Sequence, residues 1–313
     1  MPYIVNVIFN ILTSGLPCCL LALGIFITFR LLDFADLTAE GSFLIGGSLA
    51  IALIKINVNP FIATFVAMIG GALCGYLTSV FYTKLKIPKI LCGIITMTAT
   101  SSLALLILGI TSKDSNFLNN VKLLNEETIY SLFYYGNPLL RPLIKSGIML
   151  AFVVVIFAAI YLFFGTEYGM AIRTTGINSK MARAQGINTE RASIVALVLS
   201  NALIGLAGAL YCQDKRGCSV GMSTGFLVVG LASILIGEAI FGRRSFKNSL
   251  ISIALGSILY FIIINLAIEL KFPTQLETLL YAVLIAIALS IPLVRKGISN
   301  LMKKKEKQDA RVS

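Results

Sequence analysis

The chain has no histidine and no tryptophan. Without histidine it lacks the usual proton shuttle, the commonest metal ligand and the usual catalytic base near neutral pH. Charge is scarce as well: charged residues make up 13% of the 313, and 26 lysines and arginines face only 14 acids. A soluble domain carries about 25% charged residues. No G-x-x-x-x-G-K-[ST] run occurs, so ATP hydrolysis through a P-loop is excluded. The six cysteines (Cys18, Cys19, Cys74, Cys92, Cys212, Cys218) lie mostly inside apolar runs and form no C-x-x-C pair. They read as small buried hydrophobes rather than metal ligands. Cys212 and Cys218 flank a polar turn and are placed to pair, but nothing in their spacing requires it. The first ten residues, MPYIVNVIFN, lack the basic start of a cleaved signal, so the first apolar run reads as a retained span.

Apolar residues are abundant, at 57% with mean hydropathy +0.90. Continuous apolar runs recur at Ile4–Phe29, Ser42–Ile56, Phe61–Leu85, Ile87–Ile110, Leu143–Phe164, Ala192–Cys212, Val220–Phe241, Leu250–Ile268 and Leu276–Val294. Runs near 20 residues cross a bilayer as helices. Strands of a membrane barrel would alternate apolar and polar positions instead. The expected fold is an all-α polytopic membrane protein of about nine transmembrane helices, forming one transmembrane domain over residues 1–313. The second run is short and glycine-rich, which suggests a tilted or partly re-entrant span. Gly46 and Gly47, Gly70, Gly71 and Gly75, and Gly205 and Gly208 supply the small residues that close helix packing in membranes uses.

The net charge of +12 has no soluble domain to sit on, so nucleic-acid binding is not expected. Basic residues set orientation instead. Lys84, Lys86 and Lys89, then Arg173, Lys180, Arg183 and Arg191, then Arg243, Arg244 and Lys247, and the tail 295–313 fall on one side. That side is expected to be cytoplasmic, with the tail near anionic lipid. The loop 111–142 is then outside, with Tyr130–Tyr135 on the membrane surface, and nine crossings put the N-terminus outside. Lys215 and Arg216 run against the rule.

The segment Gly165 to Arg191, GTEYGMAIRTTGINSKMARAQGINTER, is polar and mostly basic between two apolar runs. Asn178 is placed to cap a short helix from Ser179 to Gln185, Gly186 to end it in a left-handed turn, and Asn188 to cap the next span. This helix offers Met181, Ala182 and Ala184 as small or soft surface beside Lys180 and Arg183. Alone in water it is too short to be stable. Two readings stay open: it docks on a partner, or it is an interfacial loop held by anionic lipid. A second segment, Arg30 to Gly41, carries Asp33, Asp36 and Glu40 between two apolar helices, with Thr38 placed to cap the next helix and Gly41 to relax it. Intramembrane carboxylates usually mark a pathway or a partner. This break either lines a translocation route or gate, or is a loop at the cytoplasmic face with Arg30 paired to an acid. Glu238 is followed by Arg243 and Arg244, which makes a local ion pair the simplest account. Thr96, Thr98, Thr100, Ser101 and Ser102 form a polar stripe that faces a wet cavity or bonds back to helix carbonyls.

The basic segment resembles the coupling loop of ABC-importer permeases of the branched-chain amino acid and ribose permease type. Gly169, Ala171, Ile172, Arg173, Gly176, Asn178, Ala182, Gly186 and Ile187 match that family's pattern, and Thr174 and Met181 depart from it. Arg30–Gly47 and Ser233–Arg244 resemble two further family segments, and D-L-T-A-E-G-S-F (Asp36 to Phe43) is similar to a subgroup of tryptophan or tyrosine importers. The resemblance implies a multi-pass cell-membrane subunit without cofactor or catalysis of its own. It implies that Asn178, Ser179, Lys180, Met181, Ala182, Arg183, Ala184, Gln185, Gly186 and Ile187 seat in a groove of a separate ATPase subunit. It also implies two ATPase copies, a second copy of the permease, an extracytoplasmic solute-binding protein, and an amino-acid substrate, aromatic before branched-chain. The rivals are a secondary transporter driven by an ion gradient, which would need coupling-ion carboxylates or broken helices, and an intramembrane lipid enzyme, for which no nucleophile–base pair or metal set is available.

Overall fold

In the computed structural model the described residues are 3–112, 120–124, 126–132, 141–243 and 245–269, with 279 and 283. They form eleven α-helices: α1 (Tyr3–Phe26), α2 (Thr38–Lys55), α3 (Pro60–Thr83), α4 (Lys89–Ser112), α5 (Ile129–Leu132), α6 (Arg141–Phe163), α7 (Glu167–Ile177), α8 (Ser179–Ala184), α9 (Thr189–Asp214), α10 (Phe226–Phe241) and α11 (Phe246–Glu269). A π-helical turn, Ile27–Leu31, extends α1, and a 3-10 turn, Val220–Ser223, precedes α10. Two short strands, β1 (Asn120–Lys122) and β2 (Gly217–Ser219), pair antiparallel. Eight helices among the described residues are long and apolar enough to cross a membrane, matching the first eight runs. The ninth run, apart from 279 and 283, and the tail 295–313 lie outside the described residues, as do 113–119, 125, 133–140 and Arg244.

Helix α9 is the centre of the bundle, packed against α1, α2 and α3 and, near its start, α7. Small residues make this possible. A Cβ on Gly46 would lie 2.1 Å from the Gly205 carbonyl oxygen, and one on Gly71 would lie 2.3 Å from that of Asn201. The backbones of α2, α3 and α9 therefore touch, the geometry that gives membrane helices their dispersion contact. An aromatic cluster follows: Phe43 stacks on Phe226 at 4.4 Å between ring centroids, and Tyr211 meets Phe226 edge-on at 5.1 Å.

The spans alternate, so the turns after α1, α3, α6 and α10 share one end of the bundle, and this is the basic end. Lys215 and Arg216 lie at the other end. There Lys145 pairs with the Asp214 carboxylate, and the ammonium of Lys215 lies 4.0 Å from it. Part of the offending charge is thus neutralised locally.

Two corrections to the expected topology stand out. Helix α2 is a single unbroken helix; what turns back into the bundle is the segment 32–37 before it. Asp36 meets Asn201, halfway along the 26-residue α9, and a Cβ on Gly93, about 6 Å up α4, would touch Leu37. Likewise α10 starts inside the bundle, beside Phe43 and Tyr211, after β2 and the 3-10 turn have led the chain inward from the end of α9. Tyr130, expected on the membrane surface, is buried, and its hydroxyl donates to the Leu210 carbonyl at 3.1 Å.

Candidate functional site

The segment 165–191 is more ordered than its polarity suggests. Thr166 caps α7 by accepting from the Gly169 amide at 3.4 Å, with Glu167 in the first turn, where the helix dipole favours an acid. This eleven-residue helix was not anticipated. Its glycines let it lie flat on the bundle: a Cβ on Gly169 would lie 2.4 Å from Phe164 Cα, and one on Gly176 would lie 1.9 Å from the Leu31 carbonyl oxygen. Arg173 donates to the Phe164 carbonyl, and its guanidinium stands 4.9 Å from the centroid of the Phe246 ring.

Asn178 ends α7 and starts α8. Its side-chain oxygen accepts from the amides of Lys180 and Met181, both at 3.1 Å. The far end closes at Gly186, whose φ of +82° a residue with a Cβ adopts only under strain. The Gly186 amide donates to Arg183 O and the Ile187 amide to Ala182 O, both at 3.0 Å, the paired bonds of a Schellman stop. Asn188 then caps α9 by accepting from Arg191 N at 3.0 Å. Helix α8 therefore has a stop at each end. It runs Ser179–Ala184, one residue shorter than expected. Ser179, Lys180, Met181, Arg183, Ala184, Gln185 and Gly186 are exposed and Ile187 half-buried. Ala182 corrects the expected surface: it is fully buried and fixes the helix from below. Met181, 53% exposed, and Ala184 remain as the soft outer patch.

The acidic segment divides into residues with different work. Asp33 is exposed at the basic end with φ of +53°, and its carbonyl accepts from Lys89 Nζ at 2.6 Å. Asp36 is buried. Its Oδ1 accepts from the Thr38 amide at 2.9 Å and its Oδ2 from Asn201 Nδ2 at 2.7 Å, while Ser42 Oγ donates to Asn201 Oδ1 at 2.6 Å. The N-cap position of α2 is Leu37, and the side chain that satisfies the first amide of the helix is that of Asp36. Thr38, expected in that role, instead directs its hydroxyl to Thr78 Oγ1 at 2.8 Å. Gly41 lets α4 approach, with its Cβ position 2.0 Å from Thr100 Oγ1.

Glu40 is half-buried and accepts from the Gly225 amide at 2.9 Å. Gly225 is the N-cap of α10, has φ of +88° and offers no side chain. A carboxylate on α2 therefore takes the place of the missing cap and sits at the positive end of the α10 dipole. At the basic end, Glu238 Oε2 lies 2.7 Å from Arg30 Nη2 and 2.6 Å from Arg243 Nη2. Arg243 is the local partner expected. Arg30, 208 positions away, was not foreseen as this acid's partner. The hydroxyls of the α4 stripe bond back to helix carbonyls: Thr96 to Cys92 O, Thr98 to Ile94 O and Ile95 O, and Thr100, Ser101 and Ser102 likewise. Thr96 is buried and Thr98 exposed. All six cysteines are free and buried. Among the described residues no cluster of three or more His, Cys, Asp or Glu could hold a metal.

A bundle of spanning helices, with a short capped helix at its basic end, defines a polytopic membrane protein of the all-α class. The family described as the branched-chain amino acid transport system permease component matches residues 7–289. The chain belongs to that family of ABC-transporter permeases, and it is a multi-pass protein of the cell membrane. It is 32% identical over 280 residues to the tyrosine transport system permease protein of Clostridioides difficile, covering 89% of each chain. It is 24% identical to the ribose import permease protein RbsC of Escherichia coli, over 75% of this chain and 70% of that one. In fold it is similar to PsaBC of Streptococcus pneumoniae, with a TM-score of 0.51 and 14% identity over 92% of this chain and 91% of that one.

Proposed function

We propose that the chain is the membrane subunit of an ATP-driven importer of an amino acid, with an aromatic amino acid as the preferred substrate. Helix α8 carries this reading: it is too short to stand alone, is stopped at both ends, and turns Met181 and Ala184 outward at the basic end. Such a helix suits the groove of a separate ATPase, which supplies the hydrolysis. Two copies of the chain would surround the path, each seated on one ATPase, and a solute-binding protein would deliver substrate from outside. Motion of α8 passes to the bundle through α7, whose Gly176 rests on the end of α1. ATP shifts the path between its two states only to the extent that the ATPases bind one state better.

Glu40 supports the placement of the path. A half-buried carboxylate in the first turn of α2 is costly against lipid, so the face that carries Glu40 and Gly225 belongs toward the second copy and the path. The tyrosine permease relative is what favours an aromatic substrate.

The test is uptake into vesicles holding the purified chain, with and without a cognate ATPase and binding protein. Uptake of labelled tryptophan or tyrosine should require ATP and both partners, and unlabelled aromatic amino acids should compete better than leucine. Uptake that follows an ion gradient with no ATPase present would replace this reading with a secondary transporter.

A further inference from the structure

A cavity of about 300 Å³ opens at the basic end between the end of α3, the turn after it, α8 and the start of α9. Its lining is polar. Lys86 enters from the α3–α4 turn and Arg183 from α8, with the hydroxyls of Tyr82, Ser179 and Thr189 around them and Glu190 as its one acid. Arg183 is held in place by its Nε–H bond to Thr189 Oγ1 at 2.8 Å, which leaves its terminal amino groups for another acceptor. Among the described residues, the Lys86 ammonium and the Tyr82 and Ser179 hydroxyls have no hydrogen bond or ion-pair partner. Lys86 adopts φ of +54°, so the turn that presents it is fixed at some backbone cost. Of the six hydroxyls in the lining, those of Thr83, Thr175 and Ser193 are committed to helix carbonyls, so two cations and three further hydroxyls around one acid leave an excess of donors and one net positive charge. The acceptor that such a set lacks is an oxyanion with several oxygens.

We propose that this cavity binds a phosphate group, either the headgroup phosphate of an anionic lipid at the membrane boundary or a free phosphate from the cytosol. A phosphate there would bridge Lys86 on the α3–α4 turn to Arg183 on α8. It would hold α8 at a set position on the bundle, so occupancy would tune how α8 moves. This inference stands on the cavity and does not depend on the substrate or on ATP-driven import.

The test uses the full chain in nanodiscs of phosphatidylcholine alone or mixed with phosphatidylglycerol, and separately inorganic phosphate added to the phosphatidylcholine discs. Unfolding temperature and native mass spectrometry read binding. The wild type should be stabilised by phosphatidylglycerol if lipid is the source, or by inorganic phosphate if the free ion is. Lys86→Gln and Arg183→Gln should each weaken that response roughly tenfold or more, the size of one charge-assisted hydrogen bond. Lys84→Gln, on the same turn but outside the lining, should respond as wild type. If Arg183→Gln does not fold, Lys86→Gln decides alone. The proposal is overturned if neither source stabilises the wild type, if Lys86→Gln responds fully, or if Lys84→Gln loses as much.

Discussion

Gly176→Ala separates the roles of α7 most cleanly, because two effects of opposite sign meet at one atom. Inside a helix, Ala is better than Gly by about 1 kcal/mol. An α7 that merely lay on the surface would therefore be stabilised by the change. Here the added Cβ would lie 1.9 Å from the Leu31 carbonyl oxygen, 2.8 Å from Leu31 C and 3.0 Å from Leu32 C. All three are backbone atoms where the π-helical turn ends, and no rotamer change moves them. Ordinary contact distances require α7 to lift by roughly 1–1.5 Å. Overpacking of this kind costs about 1–3 kcal/mol, more than the propensity gain. The variant should unfold at lower temperature in detergent. Because α8 follows α7 directly, the variant assembled with a cognate ATPase should also give less uptake per ATP that the ATPase hydrolyses. Thermal unfolding and the ratio of uptake to hydrolysis in vesicles read the two effects. A Gly176→Ala protein that is more stable and equally coupled would refute the claim that α7 bears on α1.

Three further outcomes follow from the polar contacts. Glu238→Gln should lose about 1–3 kcal/mol, below the range for fully buried pairs because the Arg30 and Arg243 side chains are 28% and 54% exposed; a double-mutant cycle with Arg30→Ala, read by unfolding in denaturant, should show most of that loss as coupling, and strict additivity would dismiss the pair. Asp36→Ala should destabilise by about 2–5 kcal/mol, because the Asn201 amide and the Thr38 amide lose their buried acceptor together, while Asp36→Asn should fall between it and wild type; equal melting of all three would contradict the network. Glu40→Ala should fray the start of α10 at a cost of about 1–2 kcal/mol, seen as faster amide exchange at residues 225–229, and Glu40→Gln, which keeps an acceptor, should restore most of the protection.

The spans were legible because each is a continuous apolar run, and that signal survives without knowledge of packing. The stops of α8 were legible for a local reason: Asn178, Gly186 and Asn188 act on backbone groups within three residues of themselves. What was hidden depends on distant partners. Ala182 is small enough to suit an outer or an inner face, and only packing decides. Asn201 is one polar residue in a long apolar run, and its meaning comes from Asp36, 165 positions away. Arg30 has acids close by in sequence, yet it pairs with Glu238 because the π-helical turn and the end of α10 meet in space. Glu40 had no visible reason to cap another helix until α10 was found to begin inside the bundle. Helix α7 escaped because its glycines and threonines read as a loop, although Thr166 followed by Glu167 is a helix start in itself.

If α8 is the seat of a separate ATPase, Met181→Glu and Ala184→Glu reveal it most directly. Both side chains point outward, so the substitutions should leave the unfolding temperature unchanged. The measurement is the amount of ATPase that co-purifies with each variant, followed by ATP-driven uptake in vesicles. The expected result is that the ATPase is lost and uptake stops while the permease stays folded. Full retention of the complex and of uptake by both variants would contradict it.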